Sequence, residues 1–478
     1  MILPFLSRRQ VQILSSALII SLCLSVYYFL ATSGARRLTR ISKLQPTADT
    51  RPPHTPTDYA APTSESMWCQ ERFGLRFLEN MRNFTGSYCD PEAKSSLNCF
   101  WSETKKGRLD TTCYARGAVF DPERKAFHID CPLRAAQDNA AGLPRVPDDM
   151  HAYWYETGPL QILNKALLLD AAAAAPRPDA ERTTILVKRE GTHNLWHSLM
   201  EIMSLSWSLD ALQMSSTETG AAYLSPSQMN STQIVLVDDF DLGPYIELWR
   251  LFAQKPIRRL SELDAEEPPS NIVVPLVGGS NPLWQGDWEE LKCTEASLVT
   301  TFVRRVLDLY KISDADGDPA RTGGSDADIV VTFVDRKGAR ELVDQDAHIE
   351  ALRVAVPHMK LDVVDFASMP LHQQVQVARH TDVLIGVHGA GLTHSMFMKP
   401  GAVLVEVLPA DFTHKGFRNL AQMLGHGYFR THAQPAAPKR RRDWQQDPVE
   451  IDQQRLIDAV RAGVQAMYSR GGRSYDIS

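Results

Sequence analysis

The sequence is poor in cysteine, with seven in 478 residues, and none of them forms a tight Cys-x-x-Cys pair, which removes the usual ground for a zinc site. It has no excess of basic charge: 51 Lys and Arg stand against 57 Asp and Glu, a formal net charge of −6, so nothing in the electrostatics asks for a nucleic acid partner. No internal repeat is evident, which sets aside solenoids and other arrays. One stretch lacks charge altogether. Between Gln10 and Ala35 there is no Asp, Glu, Lys or Arg, and Ile13 to Thr32 is mostly apolar, with Tyr27 and Tyr28 near one end. Twenty such residues reach across a bilayer core and read as a membrane anchor. No small-residue cleavage site accompanies them, so a retained signal anchor is expected rather than a cleaved leader.

The flanking charges and the cysteines disagree about orientation. Arg8 and Arg9 precede the span, whereas Arg36, Arg37, Arg40 and Lys43 follow it; on the positive-inside rule alone the bulk of the chain would be cytosolic. Cysteines at 69, 89, 99, 113 and 131, with the glycosylation sequons at Asn83 and Asn230, point instead to the lumen of the secretory pathway. The lumen is the expectation carried forward. Cys23 lies in the span; the six remaining cysteines allow fifteen pairings, among which spacing does not choose.

Composition along the chain divides it further. Residues 1–35 form the tail and anchor, 36–66 a Pro/Thr-rich stem, and 67–146 a cysteine-rich lead-in. Residues 147–315 read as a first α/β half, with strands at Thr183–Lys188, Gln233–Val237 and Asn271–Val277 and helices at Leu195–Leu212, Leu242–Phe252 and Thr294–Tyr310. Residues 316–478 alternate more regularly. Strands at Asp328–Val334, Leu361–Val364, Asp382–Val387 and Ala402–Leu408 are separated by helical stretches around Asp346–Val354, Leu371–Arg379 and Leu392–Met398. Gly416–Leu424 and Pro448–Met467 supply closing helices. Such alternation predicts a parallel, doubly wound sheet with ligands at the carboxyl ends of its strands. The basic run Lys439–Arg442, in a Pro/Ala-rich loop, reads as solvated.

The most informative string is Ile385-Gly386-Val387-His388-Gly389-Ala390-Gly391-Leu392-Thr393, followed by Phe397-Met398-Lys399-Pro400-Gly401. A buried strand breaks into small residues and resumes as a helix, whose first N–H groups and positive end would face an anion held at the glycines. The next strand carries Glu406 inside an apolar run, a carboxylate expected to take hydrogen bonds from nucleotide ribose or sugar hydroxyls. This string resembles the signature of glycosyltransferase family 61, and Asp365-Phe366-Ala367 and Gln373-Gln374-Val375 resemble it too. More loosely, the cysteine-rich lead-in resembles the EGF-modifying branch of that family.

The resemblance implies a GT-B fold: two Rossmann-like halves, the nucleotide-sugar site in the second and the acceptor on the side of the first. It implies inverting transfer from a UDP-sugar, N-acetylglucosamine before xylose, to a hydroxyl of a protein or glycan. Asn194 and His197 match the family's Asn-x-x-His motif at a strand-to-helix turn, and His197 is expected as the base that takes the acceptor proton. Glu190 and His193 are substitutes for that role. Arg336 and Arg340 follow a strand end, where the family carries an arginine pair, and are expected on the diphosphate; His388 is expected beside them and Gly389, Ala390 and Gly391 to contribute backbone. Cations of this kind make an obligatory metal cofactor unnecessary. Two alternatives remain. Asp239 and Asp241, in Asp238-Asp239-Phe240-Asp241 after a strand, could hold a divalent cation as GT-A enzymes do, although Asp241 could equally cap the next helix. A catalytically inactive relative would bind nucleotide or sugar without turnover. The ending Tyr475-Asp476-Ile477-Ser478 is not a Lys/His-Asp-Glu-Leu retrieval signal, and with the span Ile13–Thr32 it favours the Golgi or endoplasmic reticulum membrane, single-pass and type II.

Overall fold

The structure is a computed structural model and describes residues 55–59, 65–134, 142–169, 180–217, 219–313, 329–434, 443, 445–468 and 475–476. The expected anchor, most of the stem and the basic run Lys439–Arg442 lie outside the described residues. Among the described residues, no helix is long and apolar enough to cross a membrane. Residues 53–134 and 144–478 make up one compact unit, and everything below concerns it.

Two short helices, α1 (Met67–Phe73) and α2 (Leu75–Asn83), lead into β1 (Thr85–Ser87) and a long antiparallel hairpin of β2 (Ser96–Lys105) and β3 (Arg108–Asp121). β4 (Ala126–His128), α3 (Pro159–Lys165) and β5 (Leu167–Leu168) follow. Then come β6 (Arg182–Val187), α4 (Leu195–Gln213), β7 (Thr232–Leu236), β8 (Arg258–Arg259) and β9 (Ser270–Val274). Strands β1 to β9 form one sheet. Its backbone order is β1-β2-β3-β9-β6-β7-β8, in which β9, β6, β7 and β8 run parallel and the hairpin joins antiparallel through β3 against β9. The cysteine-rich segment is thus the continuation of the first α/β sheet.

Its cysteines pair as Cys69–Cys293, Cys89–Cys131 and Cys99–Cys113, which resolves the fifteen possibilities. Cys99 and Cys113 face one another in the β2/β3 register. Cys69–Cys293 ties α1 to the chain just before α6 (Ser297–Leu309), after the one-turn α5 (Pro282–Gln285). Beside this bond, residues of the expected stem contact α6 and the chain just before it. Glu65 Oε1 accepts from the amides of Thr294 (2.5 Å) and Glu295 (2.8 Å), and Asp58 pairs with Arg305 at 2.6 Å. Asn83 and Asn230, the sequon residues, are exposed.

The second sheet contains β10 (Ile329–Val334), β11 (Met359–Val364), β12 (Val383–Val387), β13 (Val403–Leu408), β14 (Gly427–His432) and β15 (Tyr475–Asp476), all parallel, in the order β11-β10-β12-β13-β14-β15. α7 (Gln345–Ala355), α8 (Leu371–His380), α9 (Gly416–Met423) and α10 (Gln453–Tyr468) accompany it. The strand order reverses between β10 and β12, so the chain leaves their carboxyl ends in opposite directions and opens a crevice there. All five residues of β12 and all six of β13 are buried, as expected for a parallel sheet covered on both faces.

Two expected helices differ. The turn after β12 continues as a 3-10 helix, Ala390–Phe397, in place of an α-helix. Gly391 packs so tightly on β10 that a Cβ there would come within 2.7 Å of Val334 Cγ1, and the His394 imidazole bonds back to the Gly391 carbonyl at 2.7 Å. A 3-10 run of this length is uncommon and marks a constrained segment. The expected helix Leu242–Phe252 shrinks to a 3-10 turn at Ile246–Leu251, because Gly243, at φ +71°, docks against Thr192 and Pro244 follows it.

Candidate functional site

α4 carries the first group of functional side chains. Seventeen of its nineteen residues are buried, Glu201 and Asp210 among them, so it is a core helix, and His197 in its first turn is one of the two that are not. Asn194 caps it, the side-chain oxygen accepting from the amides of Trp196 (3.0 Å) and His197 (3.4 Å). The Asn-x-x-His spacing therefore has a local cause: the cap fixes the turn that presents His197. His197 Nδ1 lies 3.3 Å from Glu190 Oε2. Its ring packs on Trp284 at 4.4 Å and meets Tyr155 edge-on at 5.9 Å. With Nδ1 turned to a carboxylate, Nε2 is the nitrogen left to face a substrate.

Glu190 sits just past the end of β6, buried. Its Oε1 accepts from Gly279 N at 3.2 Å, and its own amide donates to Glu201 Oε1 at 2.9 Å. Glu201 is four residues beyond His197 on α4, one turn deeper. Burial, then the charge of Glu190, pushes its carboxyl well above the usual carboxylate range. The neighbouring loop is held by the buried pair Arg189–Asp238 at 2.7 Å, with Arg189 also donating to the carbonyls of Phe240 and Leu242. His193, considered beside Glu190 as a substitute base, is on the surface and meets Asp241 at 3.0 Å. The other Asp241 oxygen accepts from Thr192 at 2.7 Å, so Asp241 ties two loops together and does not cap a helix. Asp239 is exposed, and no group of three His, Cys, Asp or Glu among the described residues could hold a metal ion.

The second group meets at the β10/β12 crevice. Arg336 and Arg340 follow β10 and converge on Gly389. A Cβ at Gly389 would overlap Arg336 Nη1 and lie 3.0 Å from Arg340 Nη2, and Gly389 has φ +151°, so glycine is required there for conformation and for space. Both guanidiniums are partly buried. Burial lowers Arg336, and burial together with Arg336 lowers Arg340 to about 10. Even at 10, Arg340 is a full cation at neutral pH, so the crevice holds two concentrated positive charges beside the amides of Ala390 and Gly391.

His388 and Glu406 take a different arrangement from the one expected. His388 Nδ1 lies 2.6 Å from Glu406 Oε1, and Glu406 Oε2 accepts from the Tyr428 hydroxyl at 2.6 Å. Glu406 is 1% exposed, and each of its oxygens is already engaged, one by His388 and one by Tyr428. It orients His388, whose own pKa burial holds below the usual histidine value.

A chain of rings connects the two groups. Trp196, beside His197, packs on Phe417 at 5.3 Å, and Phe417 packs on His388 at 5.4 Å. A parallel route runs through the segment 278–288. Trp284 touches His197, Asp287 pairs with His414 at 3.1 Å, and the His414 ring lies 4.8 Å from His388. Sequence reading passed over this segment. The signal in it is Gly278-Gly279, where a Cβ at 278 would lie 3.0 Å from both Glu201 and Trp284. Asp110 of β3 braces it, accepting from Gln285 Nε2 (3.1 Å), from Arg108 Nε (3.0 Å) and from the Tyr153 hydroxyl. The cysteine-rich hairpin thus holds the floor of the cleft.

Comparison with known proteins bears on this region. Residues 195–405 match the family model described as Glycosyltransferase 61. The chain is similar to the EGF domain-specific O-linked N-acetylglucosamine transferase of Drosophila melanogaster, 25% identical over 258 residues covering 51% of this chain and 44% of that protein. The Gallus gallus protein of the same description is 24% identical over 262 residues, 52% and 44% of the two chains. That of Xenopus laevis is 31% identical over 139 residues, 28% and 25%. The chain therefore spans less than half the length of these relatives. A flavodiiron core from Synechocystis matches in structure at a TM-score of 0.19 and 8% identity, covering 80% of this chain and 97% of its own, which carries no argument.

Proposed function

We propose that this chain, whose residues 195–405 belong to glycosyltransferase family 61, is an inverting enzyme of GT-B architecture. It transfers N-acetylglucosamine from a UDP-sugar to a hydroxyl on a protein, an EGF-like domain being the acceptor its relatives' names suggest. One observation carries the reading: Arg336 and Arg340 close on Gly389 at the strand-order reversal, while ring contacts link that crevice to a carboxylate-backed histidine on the facing half.

The steps follow from these positions. The donor's diphosphate lies against Arg336, Arg340 and the N–H groups of Ala390 and Gly391, which stabilise the charge that grows on the leaving phosphate. His197 Nε2 accepts the acceptor hydroxyl's proton as its oxygen attacks the anomeric carbon, and the bond to the diphosphate breaks on the opposite face. The imidazolium formed is balanced by Glu190. With two arginines on the leaving group, the step needs no divalent cation. Three disulfides and two exposed sequons support work in an oxidising, luminal compartment, with the expected span Ile13–Thr32 as anchor.

The test is nucleotide release by the purified chain across a panel of UDP- and GDP-sugars, with an EGF-like domain present, with and without chelator. Release from UDP-N-acetylglucosamine that persists in chelator is expected. Loss of turnover with chelator would overturn the metal-free step and return attention to Asp239 and Asp241. Nucleotide binding without turnover on any acceptor would leave an inactive binding protein.

A further inference from the structure

Behind His197 two carboxylates are buried side by side, and the mechanism above calls on only one of them. Glu190 Oε2 faces His197 Nδ1 at 3.3 Å, and its Oε1 takes the Gly279 amide at 3.2 Å. Glu201 receives a single hydrogen bond, from the Glu190 amide to Oε1 at 2.9 Å, and its Oε2 is buried with no hydrogen-bond partner. The two glutamates are 8% and 4% exposed, so neither charge is solvated. The charged groups that face Glu201 are Glu190 and Arg189, from the end of β6, and Asp238, from the loop after β7; the Arg189 guanidinium is already committed to Asp238 at 2.7 Å. On the remaining side Gly278 brings the Trp284 indole against the pair.

Two ionised carboxylates cannot share such a site with so few donors: each accepts one amide hydrogen bond and has one buried oxygen outside any hydrogen bond, and only Glu190 has the His197 ring nitrogen beside it, at 3.3 Å. We propose that the Glu190–Glu201 pair holds one proton at working pH, on Glu201, and that Glu190, as the carboxylate, is the positioning residue that turns His197 Nε2 towards the acceptor. The direction in which burial and the Glu190 charge move Glu201 agrees with this division. Proton traffic is then simple: the acceptor's proton passes to His197 Nε2, the imidazolium rests against Glu190, and Glu201 keeps its proton throughout. With Glu201 neutral, one negative charge, that of Glu190, stands behind His197 to balance the imidazolium as it forms.

This inference rests on His197 being the base, and the experiment separates the two. Glu190→Gln, Glu201→Gln and His197→Ala are compared in the full chain for kcat and donor KM. Glu190→Gln is expected to lower kcat about 100-fold at unchanged donor KM. Glu201→Gln, an isostere of the protonated acid, keeps kcat within about threefold. Equal losses in the two glutamine variants, or a Glu190→Gln enzyme with the wild-type kcat, would overturn the proposal. Turnover surviving in His197→Ala would instead overturn the base assignment. Infrared spectroscopy gives a readout independent of activity and of the variants' yield: a protonated carboxyl band present at neutral pH in the wild-type protein and absent from Glu201→Gln. Absence of that band in the wild type refutes the shared proton.

Discussion

The first sheet approaches the cleft with acids and rings, the second with arginines and bare backbone. In the first, Glu190, Glu201 and Asp110 are buried; Glu190 and Asp110 bind segments distant in sequence, and Glu201 takes the Glu190 amide. In the second, the crevice between β10 and β12 is lined by Arg336 and Arg340 over glycine, and the Glu406 carboxylate is bound to His388 and Tyr428. One half is built to move a proton, the other to hold an anion. The difference also shows in what each half needs for rigidity. The all-parallel sheet is held by its covered strands, while the mixed sheet adds a disulfide-bridged hairpin.

The contrast can be broken from either side. His197→Ala is expected to have the largest effect, a fall of about 100- to 10,000-fold in kcat with the affinity for UDP unchanged, read by single-turnover kinetics beside nucleotide titration. Comparable damage to UDP affinity would show that the division of labour is wrong. Gly389→Ala is the mirror experiment. Its Cβ meets Arg336 at a φ unsuited to alanine, so UDP affinity should drop by roughly 10- to 100-fold, measured calorimetrically, and a variant with wild-type affinity would remove the arginines from the diphosphate. Disrupting Cys69–Cys293 by Cys293→Ser tests stability alone, with an expected cost of about 2–5 kcal/mol in denaturant unfolding and little change in UDP affinity.

The smallest effect concerns acid. His426 is buried with Nε2 on the Ser395 carbonyl at 3.1 Å, and burial lowers it to about 4. Its folded value lies below the unfolded one of about 6.5, so the unfolded chain binds more protons between the two. The neutral ring is therefore compatible with full stability above about pH 6.5, and stability is lost as pH falls towards 4, by at most about 1.4 kcal/mol per unit. Thermal unfolding of His426→Gln should show a flatter acid limb over this window. An unchanged limb would place the acid sensitivity elsewhere.

How far these features were legible depended on whether their cause was local. β10, β12 and β13 are apolar runs bounded by turn residues, and α4 is a helix on any spacing argument; both were read within one or two residues. Asn194 and His197 were legible as a motif at a helix start, and Arg336, Arg340 and the glycines of 386–391 as motifs at or just past a strand end. β14 was missed, since Gly427-Tyr428-Phe429-Arg430-Thr431-His432 has neither alternation nor a long apolar run and is made a strand by pairing with β13. Glu201 was invisible for the same reason: in sequence it is one acid in a helix, and only the fold sets it beside Glu190. The bond between Glu406 and Tyr428 was equally hidden, because the two are 22 residues apart.

The stem residues clamped along α6 have a mechanical meaning. Asp58 on Arg305 grips that helix, and Glu65 on the amides of Thr294 and Glu295 and Cys69 on Cys293 grip the chain just before it, the last of them covalently. Any pull on the chain ahead of residue 55 is then taken up as a shear load spread over three attachment points, one on α6 and two on the segment leading into it. The hairpin that braces Gly278–Gln285, and with it the alignment of His197, lies beyond the covalent stop and off the path of that force.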